Sequence, residues 1–148
     1  MTPLCWAARN GHVETVEILL SREDLNPDQL DTDGRSPLSW AAAMGHFGVV
    51  SVLLKRGDID PGLIDSRGRT PLFWASENGH AEVVELLLDH AEAKPDQDDN
   101  FGRRALVVAA AKGHTAIVKM LLESSAVDAD HRNAWGESAL YGAAVHGY

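Results

Sequence analysis

Residues 65–88 read DSRGRTPLFWASENGHAEVVELLL, and this stretch decides the fold of the chain. The same pattern recurs every 34 residues, so that Asp31, Asp65 and Asp99 occupy equivalent positions. A Gly–His pair keeps this spacing at residues 11–12, 45–46, 79–80 and 113–114, and Gly147-Tyr148 is a fifth, altered copy. A fixed period of this length indicates stacked units that share one continuous core, rather than a globule built around a central active site.

A short first helix is predicted in each unit by the residues that follow the turn. In the quoted stretch, the Thr70 hydroxyl can cap free amide groups, and Pro71 fits the first helical turn because its missing N–H group is no loss there. Small apolar residues come next, which lets another backbone approach closely. Gly79 then ends the helix, because glycine tolerates the left-handed conformation that closes it.

A second helix and a tight turn complete the unit. Apolar residues recur three and four positions apart after Gly–His, which indicates one buried helix face. Before the first helix, Asp65 can open a turn through its side-chain acceptor, and Gly68 supplies positive φ three residues later. We expect little or no strand pairing around such turns. The sequence therefore predicts an all-α solenoid of stacked helix-turn-helix units with short β-turn or hairpin tips.

This pattern resembles the ankyrin repeat, D-x-x-G-x-T-P-L-x-x-A-A-x-x-G-H-x-x-x-V-x-x-L-L, and the resemblance covers the whole chain. It implies a single array over residues 1–148, with a first repeat that lacks its turn (1–30), three full repeats (31–64, 65–98, 99–132) and a partial last repeat (133–148). Trp6, Trp40 and Trp74 stand where leucine is commoner, a variant that resembles the arrays of multidomain fungal proteins. Beside the small apolar residues, we interpret these tryptophans as packing between repeats.

Composition excludes several classes of partner. The formal net charge is −9, and such a surface repels phosphate backbones and anionic lipid, so we expect neither nucleic acid nor a membrane as partner. A single cysteine, no glycosylation sequon and no signal peptide favour an intracellular, cytoplasmic location. The chain opens at a first helix and stops before a fifth second helix. We therefore expect a monomeric fragment of a longer array, whose exposed terminal repeats could stack end to end.

No pattern of catalytic or metal-ligating residues stands out. Equivalent residues in adjacent units lie roughly 8–10 Å apart, the spacing of packed helices. The repeated histidines therefore cannot share a Zn²⁺, whose ligands must each lie about 2 Å from the metal. The sequence also contains no nucleophile elbow and no glycine-rich phosphate loop. We predict a non-enzymatic protein without metal, cofactor or small-molecule substrate.

The resemblance also suggests where a partner would bind. Partners of the ankyrin family usually dock on the concave surface formed by the turn tips and the first helices. Carried over position by position, this predicts the contact residues Asp33, Arg35, Arg67, Arg69, Phe73, Asn78, Phe101, Arg103, Arg104, Lys112, Trp135 and Tyr141. Phe101 and Trp135 precede a turn glycine, where large aromatic side chains have little core to fill and are typical interface anchors.

The arginines of this set predict a cationic ridge in an otherwise acidic protein, although arginine on exposed turns is often only solvated. Arg104 and Ala105 replace the Thr-Pro pair in the fourth repeat, which removes a hydroxyl cap and costs about 1 kcal/mol. Either the fourth repeat has drifted or Arg104 contacts a partner, and the sequence leaves both open.

Two functions fit these observations. The first is a protein–protein interaction module whose concave face of turn tips and first helices binds a segment of a protein partner, or of another domain of the same parent protein, that carries acidic and apolar groups. The second is an architectural spacer or sensor-arm segment of a larger, receptor-like multidomain protein without a partner of its own. In the second case the tip residues would be dispensable.

Overall fold

The computed structural model describes residues 1–146, except the side chains of Ala91 and His146, and this part of the chain contains helices and turns but no strand. The α-helices follow the 34-residue period in pairs: α1 (Pro3–Arg9) and α2 (Val13–Leu20), α3 (Pro37–Met44) and α4 (Phe47–Leu54), α5 (Pro71–Asn78) and α6 (Ala81–Leu88), α7 (Ala105–Ala111) and α8 (Thr115–Glu123), and then α9 (Ala139–His146). A 3-10 helix spans Ala91–Ala93. The altered fifth Gly–His copy, Gly147-Tyr148, lies outside the described residues.

The helices form two layers. The odd-numbered helices pack on one another in chain order from α1 to α9, and the even-numbered helices do the same from α2 to α8. The core lies between the layers and runs through all repeats; in the second repeat it contains Leu38, Ala41, Val49, Val50 and Leu53. The predicted all-α stack of helix-turn-helix units is confirmed. None of the described helices is long and apolar enough to cross a membrane.

Hydroxyl groups cap the first helices as predicted. The Thr2, Ser36 and Thr70 side chains each accept a hydrogen bond of 3.1 Å from the backbone N–H three residues later. Arg104 occupies the same position in the fourth repeat and makes no side-chain cap. Helix α7 therefore starts without the stabilisation that the other first helices receive.

The Gly–His pairs join neighbouring repeats. The His80 ring lies with Nε2 3.0 Å from the Ala43 carbonyl oxygen of the preceding repeat, and His114 Nε2 lies 3.2 Å from that of Glu77. Gly79 has a left-handed φ of 81°, and a Cβ atom added to it would come within 2.7 Å of the His114 ring. Glycine is thus required both by its conformation and by the close approach of the next histidine.

The tryptophans pack between repeats at two of the three predicted positions. Trp40 and Trp74 are buried, and their indole N–H groups donate to Asp31 Oδ2 (2.8 Å) and Asp65 Oδ2 (3.0 Å). The prediction is wrong for Trp6, which is 53% exposed. The Trp6 indole instead lies beside the His12 ring of its own repeat, with the ring centroids 5.2 Å apart.

Ser76 gives a first stability prediction. Its equivalents in the other four repeats are all alanine, and its fully buried Oγ has no hydrogen-bond partner in the described part of the chain. Burying a hydroxyl without a partner costs free energy, so we expect Ser76→Ala to raise the free energy of unfolding by about 1 kcal/mol. Urea unfolding with an unchanged m value measures this.

Ser39→Ala is the matched control. Ser39 is equally buried, but its Oγ accepts a hydrogen bond of 3.2 Å from the Ser36 hydroxyl. Its replacement should leave stability unchanged or lower it. A similar gain in both variants would show that the unpaired hydroxyl is not the reason.

Candidate functional site

Each turn tip is built around one acceptor side chain, which is buried in the third, fourth and fifth repeats and partly buried in the second. In the third repeat, Asp65 Oδ1 accepts hydrogen bonds from the N–H groups of Arg67 (2.8 Å) and Arg69 (3.0 Å). Asp31, Asp99 and Asn133 hold the other turns with the same pair of bonds to Oδ1. The tips are therefore preformed, and their exposed side chains project from a fixed backbone.

Arginines alternate with tryptophans along the inner side of the second and third repeats. The Arg35 guanidinium lies over the rings of Trp40 (4.3 Å) and Trp74 (3.7 Å). Arg69 lies over Trp74 (4.7 Å) and over Phe73 (5.1 Å). We call these five residues the Arg–Trp ladder. Stacking of this kind, partly shielded from water, contributes to the packing of one repeat on the next.

The Arg–Trp ladder corrects part of the predicted contact surface. Arg69 and Phe73 are buried, and Arg69 also lies within 3.5 Å of Asp99 Oδ2 and 3.8 Å of Glu77 Oε2. Their side chains therefore hold repeats together and offer little area to a partner. Of the predicted cationic ridge, Arg67 is exposed and forms no salt bridge with any described residue.

Arg104 also differs from the expectation. Its Nε lies 2.7 Å from Asp98 Oδ1, and its Nη1 lies 3.2 Å from Asp96 Oδ2 and 3.9 Å from Asp128 Oδ2. These carboxylates belong to the connections between repeats. Arg104 thus neutralises an acidic cluster among the connections instead of extending a cationic ridge at the tips.

The fourth and fifth repeats lack the tryptophan of the ladder. Val108 and Gly142 stand at its position. In the fourth turn, Asp99 Oδ2 instead accepts from Arg103 Nε (3.1 Å) and Nη2 (2.8 Å), and in the fifth turn Asn133 Nδ2 donates to Glu137 Oε2 (2.8 Å). The residue after the turn glycine thus takes over the hydrogen bond that an indole makes in the earlier repeats.

The pairing with Arg103 affects the acidity of the turn. Burial alone would raise the pKa of Asp99, but the Arg103 side chain and the N–H groups of Arg103 and Phe101 outweigh it and hold that pKa below its ordinary value. Asp99 therefore stays ionised at neutral pH and keeps Arg103 in place.

A pocket opens where the two tryptophans are missing. It has a volume of about 330 Å³ and lies between α7, α9 and the fifth turn. Its walls are formed by Val107, Val108, Ala111, Tyr141, Gly142 and Val145, and its polar rim by Glu77, Arg103, Lys112, Asn133, Glu137 and Ser138, with Trp135 beside them. We call this the α7–α9 pocket.

Two aromatic side chains stand exposed at the tips beside this pocket. Phe101 is 46% and Trp135 63% exposed, and their rings stack with centroids 6.0 Å apart and an interplanar angle of 18°. Trp135 itself lines the α7–α9 pocket. We call these two residues the aromatic pair.

The structure therefore brings together five of the predicted contact residues and separates the others. Arg103, Lys112, Trp135 and Tyr141 line the α7–α9 pocket, and Phe101 stacks on Trp135. Asp33, Arg35 and Arg67 line a smaller polar cleft of about 220 Å³ between the second and third turns. Asn78 is exposed at the end of α5, where its Nδ2 donates to the Trp74 carbonyl oxygen.

Several pocket residues were not among the predicted contacts. Val108, Asn133, Ser138 and Gly142 line the pocket without having been predicted as contacts. The signal that could have found them is the loss of the periodic tryptophan at positions 108 and 142, which leaves its volume unfilled.

A family model described as ankyrin repeats (3 copies) matches residues 1–65, 57–134 and 91–148, which together span the chain. A search of curated proteins found none that matches it.

Proposed function

We propose that this chain, which belongs to the ankyrin repeat family, binds a protein partner through the aromatic pair and the α7–α9 pocket. Ankyrin repeats are generally protein-interaction modules, and the family is typically non-enzymatic. The partner is either a separate protein or another domain of the same parent protein.

The single observation that carries this proposal is the position of the aromatic pair beside the pocket. Large exposed aromatic side chains at preformed positions are typical interface anchors, and clefts lined by apolar walls with a few polar groups are typical binding sites. The aromatic pair combines both features on one face. A spacer without a partner would have no use for this combination.

The charges around the site indicate the chemistry of the partner. Lys112, which lines the α7–α9 pocket, is exposed and makes no ion pair with any described residue. Arg67 is likewise exposed and without an ion pair to a described residue, but it lies outside the pocket, on the third tip. Both cations lie in a protein whose net charge is −9. The face thus favours a segment that offers apolar side chains together with carboxylates, and such steering raises the rate of association.

Alanine substitution of the aromatic pair tests the proposal. Partners are captured from an extract of the source cells, and the affinity of a captured protein is then measured by calorimetry. We expect Phe101→Ala and Trp135→Ala each to weaken binding at least about tenfold, because both remove area at the centre of the interface. Circular dichroism and urea unfolding should show little change, since both side chains are largely exposed.

Phe47→Ala is the matched control. Phe47 is 45% exposed, close to the value for Phe101, but it lies at the start of α4 in the even-numbered layer. Its replacement should leave binding unchanged. Equal affinity of the unmodified protein and both aromatic variants, or an equal loss in Phe47→Ala, would contradict the proposed face and favour the spacer.

A further inference from the structure

We infer that the α7–α9 pocket receives an aromatic side chain of the partner, with tryptophan fitting best, and that this side chain takes the place of the tryptophan that the fourth and fifth repeats lack. The inference rests on the proposed function, since it names the anchor that the partner brings.

The chain itself shows how such a site is filled. In the second and third repeats, an indole from the first helix lies against the turn and donates its N–H to the turn carboxylate, as Trp74 does to Asp65 at 3.0 Å. The position two repeats later is Gly142, which has no side chain to fill that space. The α7–α9 pocket lies at this position, and Gly142 forms part of its wall.

Arg103 follows Arg35 and Arg69 at the next equivalent position and lines the pocket, and the described rings that its guanidinium lies over are phenyl rings and not indoles. Arg35 is placed between the indoles of its own and the following repeat, Trp40 and Trp74. For Arg103, both equivalent positions lack tryptophan; among the described residues, its guanidinium lies over the rings of Phe101 (5.4 Å) and Phe73 (5.7 Å). An aromatic ring in the pocket would extend the ladder by one stacking contact on Arg103.

The rim supplies an acceptor for an indole N–H group. In the fifth turn the side-chain amide of Asn133 is directed at Glu137, so the carboxylate at this turn belongs to Glu137 and not to the turn residue. Glu137 lines the pocket and forms no salt bridge with a described residue. Its carboxylate has accepting capacity beyond the one bond from Asn133, and an aliphatic anchor would offer no donor for it.

The size of the pocket fits one large side chain. Its volume of about 330 Å³ lies at the lower end of the range of ligand pockets, about 300–1,000 Å³. Val107, Ala111 and Val145 give it apolar walls, and Tyr141 and Trp135 border it. An aliphatic side chain would bury less area and would make neither the stacking contact with Arg103 nor the hydrogen bond to Glu137.

Nuclear magnetic resonance titration of the ¹⁵N-labelled chain tests the inference. The probes are N-acetyl-L-tryptophanamide and, as the aliphatic counterpart, N-acetyl-L-leucinamide. We expect saturable shifts for the tryptophan probe at the amides of Ala111 and Gly142 and at the Trp135 indole N–H, with an affinity at least about tenfold higher than for the leucine probe.

Two variants of Gly142 show whether a loss of probe binding comes from filling the pocket or only from replacing the glycine. Gly142→Trp supplies the missing indole from within the chain and should abolish the shifts. Gly142→Ala adds only a Cβ atom, 3.4 Å from that of Ala111, and should bind the probe within twofold of the unmodified chain. Should Gly142→Trp fail to fold, Val108→Trp fills the pocket from the opposite wall.

Three results would overturn the inference: equal affinity for the two probes, shifts that map away from the pocket, or undiminished binding in Gly142→Trp. The proposed function is judged separately, by the loss of partner binding in Phe101→Ala and Trp135→Ala. A partner that still depends on the aromatic pair, while the pocket ignores the tryptophan probe, would leave the proposed function standing without this anchor.

Discussion

Replacement of Asp65 by alanine should lower the free energy of unfolding by about 3–5 kcal/mol. The buried Asp65 carboxylate accepts hydrogen bonds from two backbone N–H groups of its turn and from the Trp74 indole, and it lies 3.9 Å from the Arg35 guanidinium. Alanine would leave all three donors without an acceptor and the partly buried arginine without its counter-charge. Chemical unfolding followed by circular dichroism measures the loss.

Asp65→Asn distinguishes the contribution of Oδ1, which holds the turn, from that of Oδ2, which accepts the indole N–H. Asparagine can hold the turn through Oδ1, as Asn133 does in the fifth repeat with bonds of 2.9 and 3.0 Å. Its amide nitrogen, however, would take the place of Oδ2 and face the Trp74 indole N–H. Both groups are donors, so the hydrogen bond from the indole would be lost. We expect a loss of about 1–2 kcal/mol for Asp65→Asn. A loss as small in Asp65→Ala would show that the carboxylate is not the centre of the turn.

Replacement of Gly62 by alanine should cost about 3 kcal/mol, at the upper end of what overpacking costs. A Cβ atom on Gly62 would overlap the carbonyl oxygen of Glu92 in the 3-10 helix and would approach Lys94 Cδ to 2.8 Å. The obstacle is backbone held by its own hydrogen bonds, such as that from the Ala93 N–H to the His90 carbonyl oxygen at 3.0 Å. It cannot move aside as a flexible side chain can.

Gly57→Ala provides the control for Gly62→Ala within the same connection. A Cβ atom at Gly57 meets no atom within 4 Å, so this variant should unfold within about 0.5 kcal/mol of the unmodified chain. Thermal unfolding of both variants gives the comparison. If Gly62→Ala were as stable as Gly57→Ala, the close packing of the 3-10 helix on the preceding connection would be refuted.

The repeat architecture was predictable because its signals are local and recur. The cap at Thr70, the proline at position 71 and the glycine that ends the first helix each act within a few residues, and the structure shows them acting as expected. The 34-residue period then fixes which helices are neighbours, since a stack offers each unit only the next one. The two-layer packing follows because each helix contacts its equivalents in the neighbouring repeats, one period away in sequence.

The candidate site was only partly predictable, because exposure depends on the neighbouring repeat. Arg69 and Arg67 differ by two positions in one turn, yet Arg69 is buried between Trp74 and Asp99 while Arg67 is exposed. The sequence of the third repeat alone treats them alike. The ion pairs of Arg104 were not predictable for the same reason, since its partner carboxylates come from the connections on either side of it.

The pocket was not predicted because it forms where two repeats lack the tryptophan that the earlier repeats have. Val108 and Gly142 are unremarkable in themselves, and only the position of Trp40 and Trp74 in the folded repeats shows what volume they leave empty. Likewise, the turn hydrogen bonds that Arg103 and Glu137 take over are visible only once the indole's bond to the turn carboxylate is known. Departures from a repeat pattern carry information that the pattern itself does not.

The contact between a glycine and the histidine of the following repeat bears on how such an array can grow in evolution. Each internal repeat supplies both partners of this contact. In the third repeat, His80 contacts the second repeat, and Gly79 packs against His114 of the fourth. A gene duplication of any one such unit would therefore create a complete new joint, with no second mutation required. An array of this kind can change its length by whole units in a single genetic event, and the variable side chains at the tips are then free to diverge.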